Sequence, residues 1–172
     1  MDSLPDTVNY HFTSACNMQC CFCFAGFSDC RRSTADEQKA IIRAIAAAPL
    51  PSFEQRSRRL NFVGGEPTIC PYLEELVIEA SRHGLRTSVV SNGFKLVEKG
   101  LPPAFRSLEL LGLSIDSLDA ETNARMGRSV GGRTISAAQW MRLFDEAGRM
   151  GLPVKINTVV NAFNRSEQGK RI

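Results

Sequence analysis

No part of this 172-residue sequence approaches the roughly 18 consecutive apolar residues that a membrane-spanning helix needs. Its first residues, Met1-Asp2-Ser3-Leu4-Pro5-Asp6, lack the basic region and following apolar run of a secretory leader. There is no block of Lys and Arg of the kind that marks a nucleic-acid footprint, and the formal charge is only +3, so nucleic acid is not an expected partner. That slight positive balance suits an anionic small molecule without arguing for one. Internal repeats, low-complexity tracts and linkers are also lacking. One domain is therefore expected over residues 1–165, with residues 166–172 as a disordered tail. Together these absences predict a cytoplasmic protein with no membrane anchor.

A simple disulfide framework is missing too, although there are six cysteines. Three bridges would suit a secreted domain. Without a leader, and with Cys20 and Cys21 adjacent, a metal site in a reducing compartment is the better reading. What the chain does have is a hydrophobic fraction of 43%, enough for one packed core.

Three of the cysteines, Cys16, Cys20 and Cys23, stand in a C-x₃-C-x₂-C loop directly after an alternating run, Val8–Thr13. A loop this short can aim three thiolates at one point. Soft sulfur ligands suit iron–sulfur clusters, zinc or copper(I). Three ligands are one fewer than a closed four-iron cluster or a structural zinc requires, so one metal position is open to a substrate or cofactor. A zinc completed by His11 or Cys30 is the bland alternative. Cys21, Cys30 and Cys70 otherwise read as small non-ligand residues.

Strand and helix signals alternate along the chain. Val8–Thr13, Leu60–Val63, Thr87–Val90, Leu108–Ile115 and Val154–Val160 read as strands. Between them, Thr34 and Glu37 have capping-box spacing before a stripe of Ile41, Ala44, Ile45 and Ala48, with Pro49 as its stop. Leu73, Leu76, Val77 and Ala80 form a second stripe, with Gly84 as its C′ residue. A short helix is expected at Lys95–Lys99. A polar glycine-containing loop precedes a last stripe of Trp140, Leu143, Phe144 and Ala147, which ends near Gly151. Five strands alternating with helices predict an α/β fold with a parallel sheet.

One face of several strands is polar. Asn9, His11 and Thr13 oppose Val8, Tyr10 and Phe12. Arg59 and Asn61 oppose Leu60 and Phe62, and Lys155 and Asn157 oppose Val154 and Ile156. A closed barrel fills its interior with branched apolar side chains, and each unpaired polar group buried there would cost about 1–3 kcal/mol. The pattern therefore predicts an incomplete (βα)₆-type partial TIM barrel with about five strands, whose open lumen is a binding cavity. Parallel α/β folds bind ligands at the C-terminal ends of their strands. The cysteine loop, Gly64–Pro67, Ser91–Gly93 and Asp116 all fall there. Taken singly, each of these reads as a turn. His11 alone reads equally as a satisfied core histidine, and Arg128 as a solvated surface residue.

The residues also match a known family. C-x₃-C-x₂-C after a first strand, followed by Gly64-Gly65-Glu66-Pro67 after a second, is similar to the signature of the radical S-adenosylmethionine (SAM) enzymes. Asn9-Tyr10-His11-Phe12-Thr13, Val90-Ser91-Asn92-Gly93, Ser114-Ile115-Asp116-Ser117, Gly127-Arg128 and Lys155-Ile156-Asn157 resemble the viperin-like branch, in that order. The resemblance spans about Val8 to Asn164. It implies a [4Fe–4S] cluster on Cys16, Cys20 and Cys23, whose remaining iron binds SAM. One electron, from a donor such as a flavodoxin, ferredoxin or reductase, then cleaves SAM to a 5′-deoxyadenosyl radical. It implies SAM contacts from Phe22, Gly64, Gly65, Glu66 or nearby carbonyls, Pro67, Ser91, Asn92, Ser114 and Arg128. Asn9, His11, Arg59, Lys155 and Asn157 are placed against a nucleoside triphosphate, CTP or UTP. The implied product is the 3′-deoxy-3′,4′-didehydro nucleotide, which serves in antiviral defence.

Two positions depart from the family pattern: Val63 stands where a hydroxyl residue is common, and Arg59 where lysine is usual. The family also continues to a sixth strand and a closing C-terminal segment, so the chain reads as C-terminally truncated, with an exposed edge at its fifth strand. Other readings are a radical SAM enzyme acting on a non-nucleotide substrate, and a non-catalytic iron–sulfur or zinc protein.

Overall fold

The computed structural model describes residues 5–24, 33–50 and 57–168. Cys30, residues 1–4 and residues 169–172 lie outside the described residues. Five strands form one sheet in the order β1-β2-β3-β4-β5. They are β1 (Thr7–Thr13), β2 (Arg59–Gly64), β3 (Arg86–Ser91), β4 (Leu108–Ser114) and β5 (Val154–Asn157). Each neighbouring pair is parallel, and the sheet is not closed. Sequential parallel order with right-handed crossovers puts the connecting helices on one face of the sheet, which leaves the other face open. The incomplete-barrel expectation holds.

The capping box opens α1 (Ala35–Ala47) as its spacing predicts: the Thr34 hydroxyl accepts from the Glu37 N–H, and the Glu37 carboxylate accepts from the Thr34 N–H. Its buried face is not the expected stripe. Gln38, Ile42 and Ile45 point inward, whereas Ile41 is exposed. The face is set by Gln38, which accepts from the Tyr10 hydroxyl and donates to the Phe12 carbonyl at 3.3 Å. These bonds tie the helix to β1. The end of α1 is held by an unexpected residue. Arg58 is buried and donates to the Ile45, Ala48 and Pro49 carbonyls at 2.6, 3.0 and 2.7 Å. A guanidinium satisfies the orphan carbonyls of a helix C-terminus and complements its partial negative charge.

Helix α2 (Leu73–Arg82) buries Leu73, Leu76, Val77 and Ala80 as expected and ends before Gly84 at φ 73°. A short α3 (Phe94–Lys99) follows β3. The expected polar loop after β4 contains a further helix, α4 (Ala120–Arg125), whose N-cap Asp119 accepts from the Thr122 N–H. Helix α5 (Ala137–Met150) carries Trp140, Leu143 and Ala147 into the core and ends at Gly151. Strand β5 is shorter than expected. Beyond Asn157, the Thr158 hydroxyl bonds to the Ile115 carbonyl and the Val159 N–H to an Asp116 carboxylate oxygen, so side chains replace the ladder. Residues 166–168, expected in a disordered tail, belong to a last helical turn, α6 (Arg165–Gln168). There Glu167 accepts from the Ser117 and Thr122 hydroxyls.

The core lies between helices and sheet. Phe12 and Phe62 meet edge to face at 5.7 Å between centroids, and Phe62, Leu60, Val89, Leu111 and Leu113 are fully buried. Phe62→Ala is expected to lower stability by about 3–5 kcal/mol, through lost burial and the cavity left behind, measured as a shift in the urea midpoint.

Candidate active site

The cysteine loop is gripped by backbone from two sides. On one side, Gly65 N–H bonds to the Thr13 carbonyl at 2.8 Å and Glu66 N–H to the Ala15 carbonyl at 2.7 Å. A Cβ on Gly64 would lie 2.1 Å from the Thr13 oxygen, and one on Gly65 2.2 Å from the Ala15 oxygen. The glycine pair is therefore required by the approach of the chain's own loop. On the other side, Gln19 N–H bonds to Gly127 O at 3.2 Å and Cys21 N–H to Met126 O at 3.0 Å. A Cβ on Gly127 would sit 2.0 Å from the Gln19 oxygen, and its φ of 75° is left-handed.

Glu66 links this grip to β3. Its buried carboxylate accepts from the Thr68 N–H at 3.1 Å, the Thr68 hydroxyl, the Ser91 hydroxyl at 2.7 Å and the Asn92 N–H at 2.6 Å. Four donors match the acceptor capacity of a carboxylate. Ser91 has one hydroxyl proton, and it points at Glu66; its oxygen accepts from Gly93 N–H at 2.9 Å. Both residues thus build the frame of the cavity wall. Asn92 reaches back to the cysteine loop, its amide donating to the Asn17 side-chain oxygen at 2.7 Å.

Arg128 is buried, not a solvated surface residue. Its Nε pairs with Asp116 Oδ2 at 3.0 Å, Nη2 donates to the Ser114 carbonyl, and Nη1 lies 3.7 Å from Cys20 Sγ. Asp116 thus anchors one edge of the guanidinium.

A cavity of about 330 Å³ opens at this end of the sheet. Cys16, Cys20, Cys23, Phe22, Gly64, Gly65, Glu66, Ser91, Asn92, Ser114, Arg128, Asn9 and His11 all line it. His11 is exposed, so the core-histidine reading is overturned; its ring meets Phe24 edge-on at 6.4 Å. Sequence reasoning passed over Asn17, Thr68, Phe24 and Val159, of which Phe24 and Val159 line the cavity.

Four expected site residues stand outside the lining. Pro67 is buried at the start of a single 3-10 turn (Pro67–Ile69). Lys155, paired in register with Gly112, is exposed, and Asn157 pairs with Ser114. Arg59 is held by Glu109, with Nε at 2.8 Å and Nη2 at 2.7 Å. The open face at the cavity wall is a hydrogen-bonded ladder: Asn61 donates to Asn9 at 2.9 Å and accepts from Ser88 at 2.9 Å.

The donor chemistry at the cavity fits a metal–sulfur group. Packing around Cys16 pushes its thiol above the ordinary value, and Glu66, Cys20 and Cys23 push the same way, against the Met18 N–H donor. A thiol whose proton is held this way gains when a metal cation replaces it. Among the described residues no three His, Cys, Asp or Glu side chains are gathered tightly enough to share one metal ion. A structural zinc needs four ligands around one point, with sulfur at about 2.3 Å. An iron–sulfur cluster would be held by Cys16, Cys20 and Cys23, all of which line the cavity.

Residues 10–165 match the sequence pattern of the Radical SAM superfamily. An S-adenosylmethionine-dependent nucleotide dehydratase of Lacinutrix mariniflava is 39% identical over 166 residues, covering 92% of this chain and 33% of that protein. One of the same name from Flammeovirga pacifica is 33% identical, covering 96% of this chain and 57% of that protein. The chain thus spans about a third to somewhat over half of these two relatives. Among solved structures, Streptococcus suis SuiB bound to S-adenosylmethionine superposes with a TM-score of 0.70 at 18% identity, over 98% of this chain and 37% of that one.

Gly127→Ala is expected to cost about 1–3 kcal/mol from the left-handed backbone alone and to push the Cys20 segment away from the cavity. Urea unfolding and iron bound after anaerobic reconstitution measure the two effects, and both are expected to fall.

Proposed function

This chain belongs to the radical SAM superfamily, and on that premise we propose that it is an S-adenosylmethionine-dependent nucleotide dehydratase. It converts a ribonucleoside triphosphate, CTP or UTP, to the 3′-deoxy-3′,4′-didehydro analogue for antiviral defence. Cys16, Cys20 and Cys23 hold the [4Fe–4S] cluster. The observation that carries this reading is their convergence, with the Gly64-Gly65-Glu66 turn, on one cavity that continues onto a polar sheet face. The relatives named as nucleotide dehydratases support the substrate class.

When bound, the cluster and SAM supply the electron and the deoxyadenosyl radical of the reaction. The chain's own residues orient and enclose. Backbone around Gly64 and Gly65 shapes the wall beside the cysteines. Ser114 keeps its hydroxyl on the cavity for a SAM carboxylate, Phe22 presents backbone and ring toward an adenine, and Asn92 borders a ribose. Asn9, His11, Arg59, Lys155 and Asn157 serve the nucleotide. Arg128, fixed on Asp116, sets the position of Cys20.

The reducing cytoplasm, with a flavodoxin, ferredoxin or reductase as electron donor, suits three free thiols. No helix among the described residues is long and apolar enough to cross a membrane.

Anaerobic reconstitution with iron and sulfide is expected to give a brown protein with about four irons per chain. Cys20→Ala is expected to lose that colour, and a full cluster in the variant would sink the ligand assignment. With SAM and a reductant, 5′-deoxyadenosine formation is expected to rise on addition of CTP or UTP. No rise over the nucleotide-free background with any nucleoside triphosphate would overturn the dehydratase reading.

A further inference from the structure

A second cavity, of about 280 Å³, lies among the helices and shares no lining residue with the cavity of the cysteines. Its lining is largely apolar. Leu73 of α2, Leu96 of α3 and Leu101 are buried there, beside Pro71, Pro102 and Pro103. The fixed φ of proline leaves such walls little freedom. The Leu101 N–H bonds to Glu146 Oε1 at 2.9 Å, which ties this wall to α5. A preformed apolar hollow of this size with a few polar groups is the form of a small-molecule site.

The polar groups are out of balance. Lys95 and Lys99 stand one turn apart on α3, and both line the cavity. Lys95 is half-buried and donates to the Thr68 carbonyl at 2.7 Å. Among the described residues neither lysine pairs with a carboxylate. An ammonium has three protons to give, so a half-buried one held by a single neutral carbonyl is short of partners. Glu74, exposed in the first turn of α2, is the one carboxylate in the lining. Burial pushes the Cys70 thiol up against the pull of Lys95, so Cys70 adds no charge. Two lysines against Glu74 leave one positive charge in excess.

The two cavities meet through one residue pair. Thr68 lines the outer one, and it gives its N–H, at 3.1 Å, and its hydroxyl to Glu66, which lines the inner one. Lys95, Thr68 and Glu66 thus form a chain of hydrogen bonds from one cavity to the other.

We propose that the outer cavity is an effector site for a small organic monoanion, a carboxylate on a short apolar body, and that its occupancy is read at Glu66. The apolar body takes the leucine and proline lining, and the carboxylate takes Lys95 and Lys99 by charge-assisted bonds. Lys95 is the moving part. Without ligand it holds the Thr68 carbonyl. With ligand it turns to the carboxylate and releases that carbonyl, which alters how Thr68 meets Glu66. Coupling of this kind is reciprocal, so a ligand that tightens the Glu66 frame also changes effector affinity. Neither the site nor its coupling requires the dehydratase reading.

The test follows backbone amides of the ¹⁵N-labelled intact chain by NMR during titration with hexanoate, with neutral hexanamide and with inorganic phosphate. Hexanoate is expected to shift the Thr68 and Lys99 amides saturably, and the Asn92 N–H, which bonds to Glu66 across the wall, with the same midpoint. Hexanamide and phosphate are each expected to bind about tenfold more weakly or worse, since one lacks the charge and the other the apolar body. Lys95→Ala is expected to weaken hexanoate about tenfold and to leave hexanamide unchanged, whereas a merely structural lysine would weaken both. Lys95→Arg is expected to fall between.

No saturable shift at Thr68, equal affinity for hexanoate and hexanamide, or unaltered hexanoate affinity in Lys95→Ala would each overturn the site. Phosphate binding as tightly as hexanoate would overturn the assignment to an apolar carboxylate. Saturation at Thr68 with Asn92 unmoved would overturn the link to Glu66. The titration contains no cluster, SAM or nucleotide, so its outcome is separate from that of the turnover assay.

Discussion

The buried carboxylate of Glu66 is the interaction on which the site depends. Its own N–H bonds to the loop after β1, its oxygens gather Thr68, Ser91 and the Asn92 N–H, and Asn92 in turn holds Asn17 inside the cysteine loop. Three strand ends are locked through one residue and its partner Asn92. A buried carboxylate with fewer partners would be costly; with four donors it becomes a rigid node. Rigidity is what a three-cysteine loop lacks by itself, since eight residues from Cys16 to Cys23 contain no regular secondary structure beyond a turn.

Much of this was legible in the sequence, for physical reasons that can be named. The capping box, the α2 stripe and the inward faces of β1 and β2 follow from spacing alone, because burial and backbone geometry agree there. The α1 stripe slipped by one residue because Ile41 and Ile42 are adjacent, and apolarity cannot choose between them. Gln38 chose, through bonds to β1 that no helical period records. Strand β5 ended early because Thr158 and Asp116 took over the backbone pairing. Arg58 was invisible for a similar reason: a charged residue before a strand reads as a solvated lead-in until the end of α1 is seen above it.

The site residues divide the same way. Spacing located the cysteines, the glycine turn and the polar strand face, and the fold draws most of them to one cavity. Roles were harder to read than places. Ser91, Glu66 and Arg128 are the residue types that bind a zwitterion, and each also bonds to another protein group. A sequence shows donors and acceptors, but not which of them are already used. Glu109 did leave a trace, as the one charge in the run Leu108–Ile115. An isolated charge inside an apolar strand has to be accounted for. Register runs Thr87↔Leu108 and then Ser88↔Leu110, so Glu109 is an extra residue in β4, and this bulge carries it to Arg59 and Arg86.

The open face follows from the same accounting. Asn9, Asn61 and Ser88 satisfy one another across three strands, so this face does not need an apolar cover to be stable, and it does not collapse onto one. A polar ladder of this kind carries little driving force for closing the sheet, since each hydrogen bond nets only about 1 kcal/mol once water is counted. It does hold the strands in register while leaving room for a hydrated, charged ligand. The cysteines at one end and the paired arginines at the other are then fixed by two separate devices, a carboxylate node above and a bulge below. The distance between them is set by strand length, about 3.3 Å per residue.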